Sequence, residues 1–385
     1  MEISTEKLQP IRIKGIADIP HLAWAEGNQF CLPHSTLVKS RLLEQLDSQG
    51  NLLLSARNYQ VDPQEAATLR LRAAFTNQKP VSTRLPVSYY RAVPPWLRSV
   101  LATTYGHWQR RRVNQWAAFP RWPLDLSADF LADLAQAEPA LLVAGPTPVV
   151  LTHDLDSAEG LENLVKWFLP LEEAVGACST NFIVPCAWPL DHGLLAQVRA
   201  RGHEIGTHGY NHANYTPFLA AAQRRKRLGA ARDLIERYDI IGYRSPSLLR
   251  TRDFFPDLAQ FYRYDSSIPT SGGLFPTPNN GCASARPFYL EGLVEIPISL
   301  PRDGSLRFLG YSPQEIANLW IQCAEQISQS GGMVVLLTHC EARFSGHPAM
   351  RQAYLRFLKY VAGSDRYIWR TLKEIYHQVV EPNKV

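Results

Sequence analysis

Short apolar runs alternate with segments of helical periodicity over the second part of this chain. The runs predict strands, and they cover 149–152, 181–184, 204–207, 240–243, 293–298 and 333–338. Apolar residues that recur every three or four positions predict helices over 161–175, 191–201, 217–238, 313–330, 348–362 and 371–379. Such alternation indicates parallel βα units, and strands without a polar face indicate a sheet covered by helices. We therefore predict an α/β domain over 146–385, a (β/α) barrel or, as second choice, an open doubly wound sheet.

The first part of the chain, 1–145, lacks this alternation and is interrupted by prolines. Residues 62–63, an aspartate followed by proline, and Ser127 before an apolar-periodic segment have the pattern of helix N-termini. Two prolines at 94–95 predict the start of a further helix that has one apolar face. We predict that this part is a mainly helical and irregular accessory region.

The composition is that of a globular protein with a packed core. Hydrophobic residues make up 45% of the 385 positions, and no segment approaches the roughly 18 apolar residues that a membrane span requires. Residues 1–20 mix charges with proline and lack the apolar stretch of a secretory signal. The six cysteines form no Cys-x-x-Cys pair, which is typical of reduced thiols. These features predict a cytoplasmic protein.

The net charge of +5 is distributed unevenly along the chain. Residues 66–124 contain ten basic residues and no acidic one, which leaves 30 basic against 35 acidic residues elsewhere. Aromatic residues are interleaved with these charges: Tyr89, Tyr90, Trp96, Tyr105, Trp108, Trp116 and Trp122. The interval from Arg70 to Arg121 either packs over the barrel with its aromatic side chains buried or binds an anionic partner.

The anionic partner in the second case would be the inner face of a membrane or a lipid-linked glycan, where basic and aromatic residues act together. In that case the interval would add surface affinity rather than chemistry. No nucleic-acid-binding motif is present, so we expect no nucleic-acid partner.

Polar residues follow the predicted strands at the point where each strand ends. They are Asp154 and Asp156, His208 and His212, Arg244, Asp265, and His339. Because the carboxyl ends of parallel strands meet at one edge of the sheet, we expect these side chains to form an active site there.

The histidine pair and the aspartate pair together predict a metal site. His208 and His212 are four positions apart, so their imidazoles lie on one face if the segment is helical. Asp154 and Asp156 point the same way on an extended strand. Two histidines and one carboxylate with an open position suit Zn²⁺ or another divalent cation. The second carboxylate is then available as a general base, and the pattern leaves open which aspartate has which role.

Two further residues suit amide hydrolysis at such a site. The guanidinium of Arg244 can hold a carboxylate base in place through paired hydrogen bonds. His339 ends the most apolar strand, and a histidine there is a natural general acid for a departing amine.

Five segments carry a resemblance to one family. Thr152-His-Asp154-Leu-Asp156 and Gly202-His-Glu-Ile-Gly-Thr-His208-Gly-Tyr-Asn-His212 resemble, in order, the first two motifs of the polysaccharide deacetylase family, also called the NodB-homology or carbohydrate esterase 4 family. Gly242-Tyr-Arg244-Ser-Pro-Ser247 is similar to the third motif. Asp265-Ser-Ser and Leu336-Leu-Thr-His339 are similar to the fourth and fifth. The resemblance covers about 146–370.

The resemblance implies a distorted (β/α)₇ barrel that removes an N-acetyl group from an amino sugar in a glycan or glycan precursor. On matching positions, it makes Asp156, His208 and His212 the metal ligands and Asp154 the base. It further implies that Arg244 orients the base, His339 protonates the amine and the backbone N–H of Ser247 binds the oxyanion. Asp265 would either tune His339 or cap a loop.

The chain also departs from the family's pattern. The first motif commonly has adjacent aspartates, Ser247 stands where many members have tyrosine, and the usual tryptophan near the fourth motif is missing. Two other functions are therefore considered: a related amidohydrolase of cyclic imides or ureides, and a non-catalytic glycan-binding relative. The intact Asp154, His339 and metal ligands argue against the latter. The sequence does not identify the sugar, or whether it is free, lipid-linked or polymeric.

Overall fold

A computed structural model gives the fold of the protein. It describes residues 8–12, 14–16, 19–24, 51–55, 93–111, 123–126, 145–271 and 281–381, and the separate positions 70, 75, 128, 129 and 132.

The second part of the chain is organised around one nine-stranded sheet. Its strands are β5 (Thr147–Leu155), β6 (Ser179–Ile183), β7 (Glu204–His208), β8 (Gly242–Arg244), β9 (Tyr264–Asp265), β10 (Phe288–Leu290), β11 (Leu293–Glu295), β12 (Val334–His339) and β13 (Tyr367–Trp369). The strand order is β10-β11-β9-β8-β7-β6-β5-β12, and β13 also pairs with the start of β5. All neighbours are parallel except β10 and β11, which form a hairpin.

Helices connect the strands and surround the sheet. They are α2 (Ala158–Asn163), α3 (Leu169–Glu173), α4 (His192–Ala200), α5 (Ala221–Gly229), α6 (Arg232–Tyr238), α7 (Phe254–Leu258), α8 (Asp303–Phe308), α9 (Pro313–Gln329), α10 (Pro348–Ala362) and α11 (Leu372–Val380). A π-helical turn, Leu164–Phe168, joins α2 to α3, and 3₁₀ turns lie at Thr216–Phe218 and Pro246–Leu248. The helix predicted over 217–238 is therefore divided into a 3₁₀ turn and two helices.

Local sequence explains where the helices begin. Asp191 accepts hydrogen bonds from the first backbone N–H groups of α4, and capping boxes at Ser312 and Thr371 start α9 and α11. The centre of the sheet is covered on both faces: every residue of β5 is buried, and Trp320 and Phe357 pack against each other among the surrounding helices. This curled sheet with surrounding helices confirms the predicted NodB-type barrel, with β10 and β12 at the ends of the main strand order.

Some of the described residues of the N-terminal region, which was predicted to be mainly helical and irregular, form strands. Two antiparallel pairs occur there: β1 (Leu8–Arg12) pairs with β4 (Asn51–Ser55), and β2 (Lys14–Ile16) pairs with β3 (Ile19–Trp24). The alternation of isoleucine with polar residues near the start of the chain is a strand pattern that the prolines obscured. The helix start predicted at 62–63 lies outside the described residues, and the division of the chain at 145 stays a prediction.

The helix predicted after the prolines at 94–95 is confirmed as α1 (Pro95–Arg111). No described helix is long and apolar enough to cross a membrane. The cysteines at 178, 186, 282, 323 and 340 are free thiols, as the sequence predicted, whereas Cys31 lies outside the described residues.

Candidate functional site

The strand ends open into one cleft with a volume of about 390 Å³, within the roughly 300–1,000 Å³ of typical small-molecule sites. Residues from strands, loops and the N-terminal helix line it: Arg98, Ser99, Leu101, Ala102, Tyr105, Asp154, Asp156, His208, His212, Asn214, Ser247, Leu248, Arg302, Gly304, Ser305, Phe308, His339, Arg343 and Phe344. The cleft therefore contains all but two of the residues that the sequence singled out for chemistry. Arg244 lies buried behind Asp154, and Asp265 lies elsewhere.

The aspartate pair is positioned by the end of β5. Asp154 is the second-last residue of β5, and Asp156 is the first residue after the end of this strand. The carboxylate oxygen of Asp154 lies 3.7 Å from Nε2 of His208, and that of Asp156 lies 3.6 Å from the same nitrogen. The two carboxylates therefore face the same imidazole, as the alternation of side chains along an extended chain predicted.

The histidine pair is brought together by a turn, and the helical interpretation of its spacing was wrong. His208 is the last residue of β7 and is in register with Arg244 of β8. The chain then turns through Gly209 and His212, both of which have positive φ, at +68° and +55°. The ring centroids of the two histidines lie 5.2 Å apart. A strand followed by a tight turn thus achieves the proximity that a helix would have given.

The three residues Asp156, His208 and His212 fit a divalent metal ion. One ligand atom from each lies within 4.8 Å of the other two. Oδ1 of Asp156 is buried and has no hydrogen-bond partner, and Nε2 of His212 and of His208 lie 3.1 Å and 3.6 Å from it. A buried carboxylate oxygen that faces two ring nitrogens matches the donor set of a catalytic zinc site.

Protonation states favour the same assignment. Nδ1 of His208 lies 3.1 Å from the backbone oxygen of Arg244, so this nitrogen carries the proton and Nε2 presents its lone pair. Burial, assisted by the nearby His212, lowers the pKa of His208 and keeps the ring neutral. Burial of Asp156 opposes its ionisation, but the nearby His212 outweighs this effect and lowers the pKa of that carboxyl.

Asp154 is held by Arg244 from behind the strand. A guanidinium nitrogen of Arg244 donates to Oδ1 of Asp154 at 3.1 Å and to the Thr152 hydroxyl at 2.7 Å. The guanidinium stacks on the ring of Phe182 at 4.2 Å and is fully buried. Such a buried charge requires a fixed anionic partner, and Asp154 provides it.

The fourth motif supports Arg244 rather than His339. The backbone oxygen and the hydroxyl of Ser266 accept hydrogen bonds from Arg244 at 2.7 Å and 2.9 Å. Ser267 donates to Asp265 at 2.8 Å and accepts from the backbone N–H of Ser245 at 2.8 Å. Asp265 therefore holds the loop after β8 in place.

This arrangement corrects the suggestion that Asp265 tunes His339. Asp265 does not line the cleft, and its carboxyl is hydrogen-bonded to Glu295 in a separate buried cluster. Burial raises the pKa of Asp265 there.

The partner of His339 is Asp303, the first residue of α8. Oδ1 of Asp303 lies 2.7 Å from Nδ1 of His339, and Oδ2 accepts from the backbone N–H of His339 at 2.8 Å and from Ser345 at 2.7 Å. Burial alone would lower the pKa of His339, but the adjacent carboxylate outweighs this effect and raises the pKa to about 9. His339, which lines the cleft, is therefore an imidazolium at neutral pH.

Ser247 lies in a strained turn at the wall of the cleft. Its φ and ψ of 52° and 18° place it in the left-handed region, and Leu248 follows with φ 57°. The hydroxyl of Ser247 donates to Oδ1 of Asn214 at 3.1 Å. This bond fixes the amide of Asn214, which also lines the cleft.

Sequence reasoning missed Asp303 and Glu341. Oε1 of Glu341 accepts hydrogen bonds from the backbone N–H of Asp156 and the hydroxyl of Ser157, both at 2.9 Å. Burial and the nearby Asp156 raise the pKa of Glu341 to about 7. Its position two residues after His339 was an available signal. Asp303 lies 36 residues before His339, at the start of a helix, and no local pattern marks it.

Comparisons with known proteins bear on the fold. A candidate polysaccharide deacetylase from Mycobacterium smegmatis matches 64% of this chain and 96% of its own, with a TM-score of 0.51 and 22% identity. Puue allantoinase matches 68% of this chain and 99% of its own, with a TM-score of 0.50 and 17% identity. A candidate polysaccharide deacetylase from Pseudomonas aeruginosa PAO1 matches 68% and 100%, with a TM-score of 0.50 and 16% identity.

No family model matches the sequence, and no curated protein is significantly similar to it. At these identities the likeness concerns the fold. The chain therefore has the NodB-type deacetylase fold, which the order of its motifs predicted.

Proposed function

We propose that the protein is a metal-dependent hydrolase that removes an N-acetyl group from an amino sugar in a glycan or glycan precursor. The observation that carries the proposal is the convergence of two carboxylates, the imidazoles of His208 and His212 and one protonated histidine in a single cleft. The fold similarity to structures described as polysaccharide deacetylases agrees with it.

Asp156, His208 and His212 would hold the metal ion, with zinc the first choice among divalent cations. When bound, such an ion polarises the amide carbonyl and lowers the pKa of water. The proposal assigns the remaining chemistry to side chains of the chain itself.

Asp154 acts as the general base in this proposal. Its carboxylate faces His208 on one side and is fixed by Arg244 on the other. It removes a proton from the attacking water, and the hydrogen bond from the buried guanidinium holds it in the correct orientation. Arg244 is fully buried and does not line the cleft, and it is therefore a positioning residue.

His339 acts as the general acid. An amine leaves readily only when it is protonated, and the Asp303 pair keeps the His339 imidazole in its acid form at neutral pH. The backbone N–H of Ser247, in its left-handed turn, is proposed to stabilise the oxyanion of the tetrahedral intermediate.

The experiment that tests this function combines metal analysis with a substrate panel. Purified full-length protein should bind one divalent ion per chain and release acetate from an N-acetyl sugar. His208→Ala should lose the metal while keeping its circular dichroism spectrum. Wild-type protein that binds no divalent ion at neutral pH would contradict the proposal.

Hydrolysis of a cyclic ureide is the second candidate function, because one of the similar structures is an allantoinase. The same panel separates the two, since ring opening of allantoin or of a cyclic imide releases no acetate.

We further infer a location in the cytoplasm, in contact with an anionic membrane face or a lipid-linked glycan. The free thiols agree with a reducing compartment. Helix α1 exposes aromatic side chains among its arginines, with Trp96 68% and Trp108 47% exposed. These side chains were expected to be buried if the interval packs over the barrel, and for α1 that expectation is wrong. The helix nevertheless packs over the barrel, because Gly106 lies against the backbone of Phe308. Aromatic and basic side chains on one helix suit a membrane interface.

A further inference from the structure

The turn that carries His212 lies between the end of β7 and the 3₁₀ turn at Thr216–Phe218, so neither a strand nor a helix fixes its backbone. His212 has a φ of +55°, in the left-handed region that is unfavourable for residues other than glycine. Such a conformation persists only where the surrounding structure holds it. Because His212 and Asn214 both line the cleft, the contacts that hold this turn also place two residues of the site.

The guanidinium of Arg227, on α5, contacts the turn on both sides of His212. Its Nε donates to the hydroxyl of Thr216 at 3.0 Å, and its NH1 group donates to the hydroxyl of Tyr215 at 3.1 Å. The NH2 group donates to Oδ1 of Asn211. All three nitrogens are therefore used on residues that directly precede His212 or follow it within four positions.

Two aromatic rings of the turn also contact this guanidinium. Its central carbon lies 4.2 Å from the ring centroid of Tyr210 and 4.7 Å from that of Tyr215. Stacking on aromatic rings fixes the plane of a guanidinium as well as its charge. A lysine at position 227 would supply the charge but not the planar set of donors. The contacts of Arg227 thus depend on its shape.

We propose that Arg227 is a positioning residue that holds the turn over 209–216 in the conformation in which His212 and Asn214 face the cleft. This proposal rests on the function proposed above, in which His212 is a metal ligand. Arg227 itself does not line the cleft, so it acts through the turn. A ligand that is already in place loses little conformational entropy when an ion binds, and metal affinity should therefore depend on Arg227.

Arg224 provides a matched control three positions earlier on α5. Its Nε donates to Oδ2 of Asp257 at 2.7 Å, and its NH1 and NH2 groups donate to the backbone oxygens of Leu219 at 2.7 Å and Asp253 at 3.0 Å. Arg224 therefore uses all three nitrogens, as Arg227 does, but it donates to residues outside 209–216. A purely structural effect of losing an arginine should be similar at the two positions.

The first measurement is made on metal-free, full-length protein. Hydrogen–deuterium exchange with mass spectrometry reports local opening of peptides that contain 209–216. These peptides should exchange faster in Arg227→Gln than in the wild type, and their exchange should be unchanged in Arg224→Gln. Arg227→Lys should give an intermediate rate, because it retains the charge without the planar donors.

Competition with a chelator then measures the zinc affinity of the same variants. Arg227→Gln should bind zinc about 10–100-fold more weakly, the usual effect of losing a group that orients a metal ligand. Arg224→Gln should bind zinc like the wild type. The direction of the change is diagnostic, because removal of a nearby positive charge would by itself strengthen the binding of a cation.

Unchanged exchange over 209–216 together with unchanged or tighter zinc binding in Arg227→Gln would overturn the proposal. Equal losses of zinc affinity and of melting temperature in the Arg227 and Arg224 variants would also overturn it, since they would indicate a general structural effect. If the wild type binds no zinc, the proposed function fails, and the exchange measurement on metal-free protein still decides whether Arg227 holds the turn. If Arg227→Gln does not fold, Arg227→Lys decides both measurements.

Discussion

Nδ1 of His339 lies 2.7 Å from Oδ1 of Asp303, and this pair joins the end of β12 to the start of α8. The carboxylate raises the pKa of His339 to about 9 although burial alone would lower it. A histidine with a raised pKa is an acid at neutral pH, so the pair suits proton donation to a leaving amine rather than proton removal.

Asp303→Asn should move the alkaline limb of the pH–rate profile to lower pH. The acid must be protonated, so activity falls as pH rises through the pKa of His339. Without the Asp303 carboxylate the lowering effect of burial is opposed only by the charges of Asp156 and Asp154, so the limb should shift from about 9 towards the ordinary value of about 6.5. Metal content should not change. A limb that stays in place would show that another group titrates there.

His339→Ala should reduce turnover by roughly 10²–10⁴-fold, the usual contribution of a positioned acid. The residue is not among the proposed ligands, so metal content should match that of the wild type. An activated ester, whose leaving group needs little protonation, should restore much of the lost rate. Equal losses on amide and activated ester would mean that His339 has a different role.

Asp154→Asn and Asp156→Asn should have different effects, the first on turnover and the second on metal binding. Asp154 is held by Arg244, so its variant should lose turnover and retain the ion; Asp156 faces both histidines, so its variant should lose the ion. Metal analysis and single-turnover rates measure the two effects. Loss of metal from the Asp154 variant alone would exchange the two roles, and two unaffected variants would disprove the deacetylase function.

Gly106→Ala should weaken the docking of α1 although alanine is the better helix former by about 1 kcal/mol. The added methyl would overlap the backbone oxygen of Phe308, and such overpacking costs about 1–3 kcal/mol. Cleavage by trypsin at Arg110 and Arg111 should accelerate as α1 opens locally. The exposed Thr104→Ala is the control and should slow cleavage or leave it unchanged. Wild-type protease resistance in the glycine variant would mean that α1 packs elsewhere.

Trp96→Ser with Trp108→Ser should weaken binding to anionic vesicles. Both side chains are exposed on α1, and burying an aromatic ring at the interface favours attachment. Binding should also fall as salt rises, because exposed charges are screened within about 8–10 Å at physiological ionic strength. Trp167→Ser, a change of another exposed tryptophan outside α1, is the control. Vesicle sedimentation measures the fraction of protein that is bound. Binding that is absent, or that does not change with salt, would contradict a membrane-binding role for α1.

The sequence alone predicted the order of strands and helices and the residues at the strand ends. Predicted strands at 149–152 and 333–338 correspond to β5 and β12, and the helix predicted over 348–362 has the same bounds as α10. These predictions succeeded because apolar periodicity is a local property and because parallel strands carry their polar residues to one edge. The aspartate pair and the histidine pair could be recognised for the second of these reasons, since each pair lies at the end of a strand.

Only the tertiary structure decided which side chains from distant parts of the chain contact these strand-end residues. Asp303 replaces Asp265 as the partner of His339, Ser266 supports Arg244, and Arg98 lines the cleft although it belongs to an interval for which the sequence predicted either packing over the barrel or binding of an anionic partner. The turn through Gly209 that brings the two histidines together also has no periodicity to reveal it. Each of these contacts depends on how helices pack around the sheet, and packing joins residues whose separation along the chain carries no pattern.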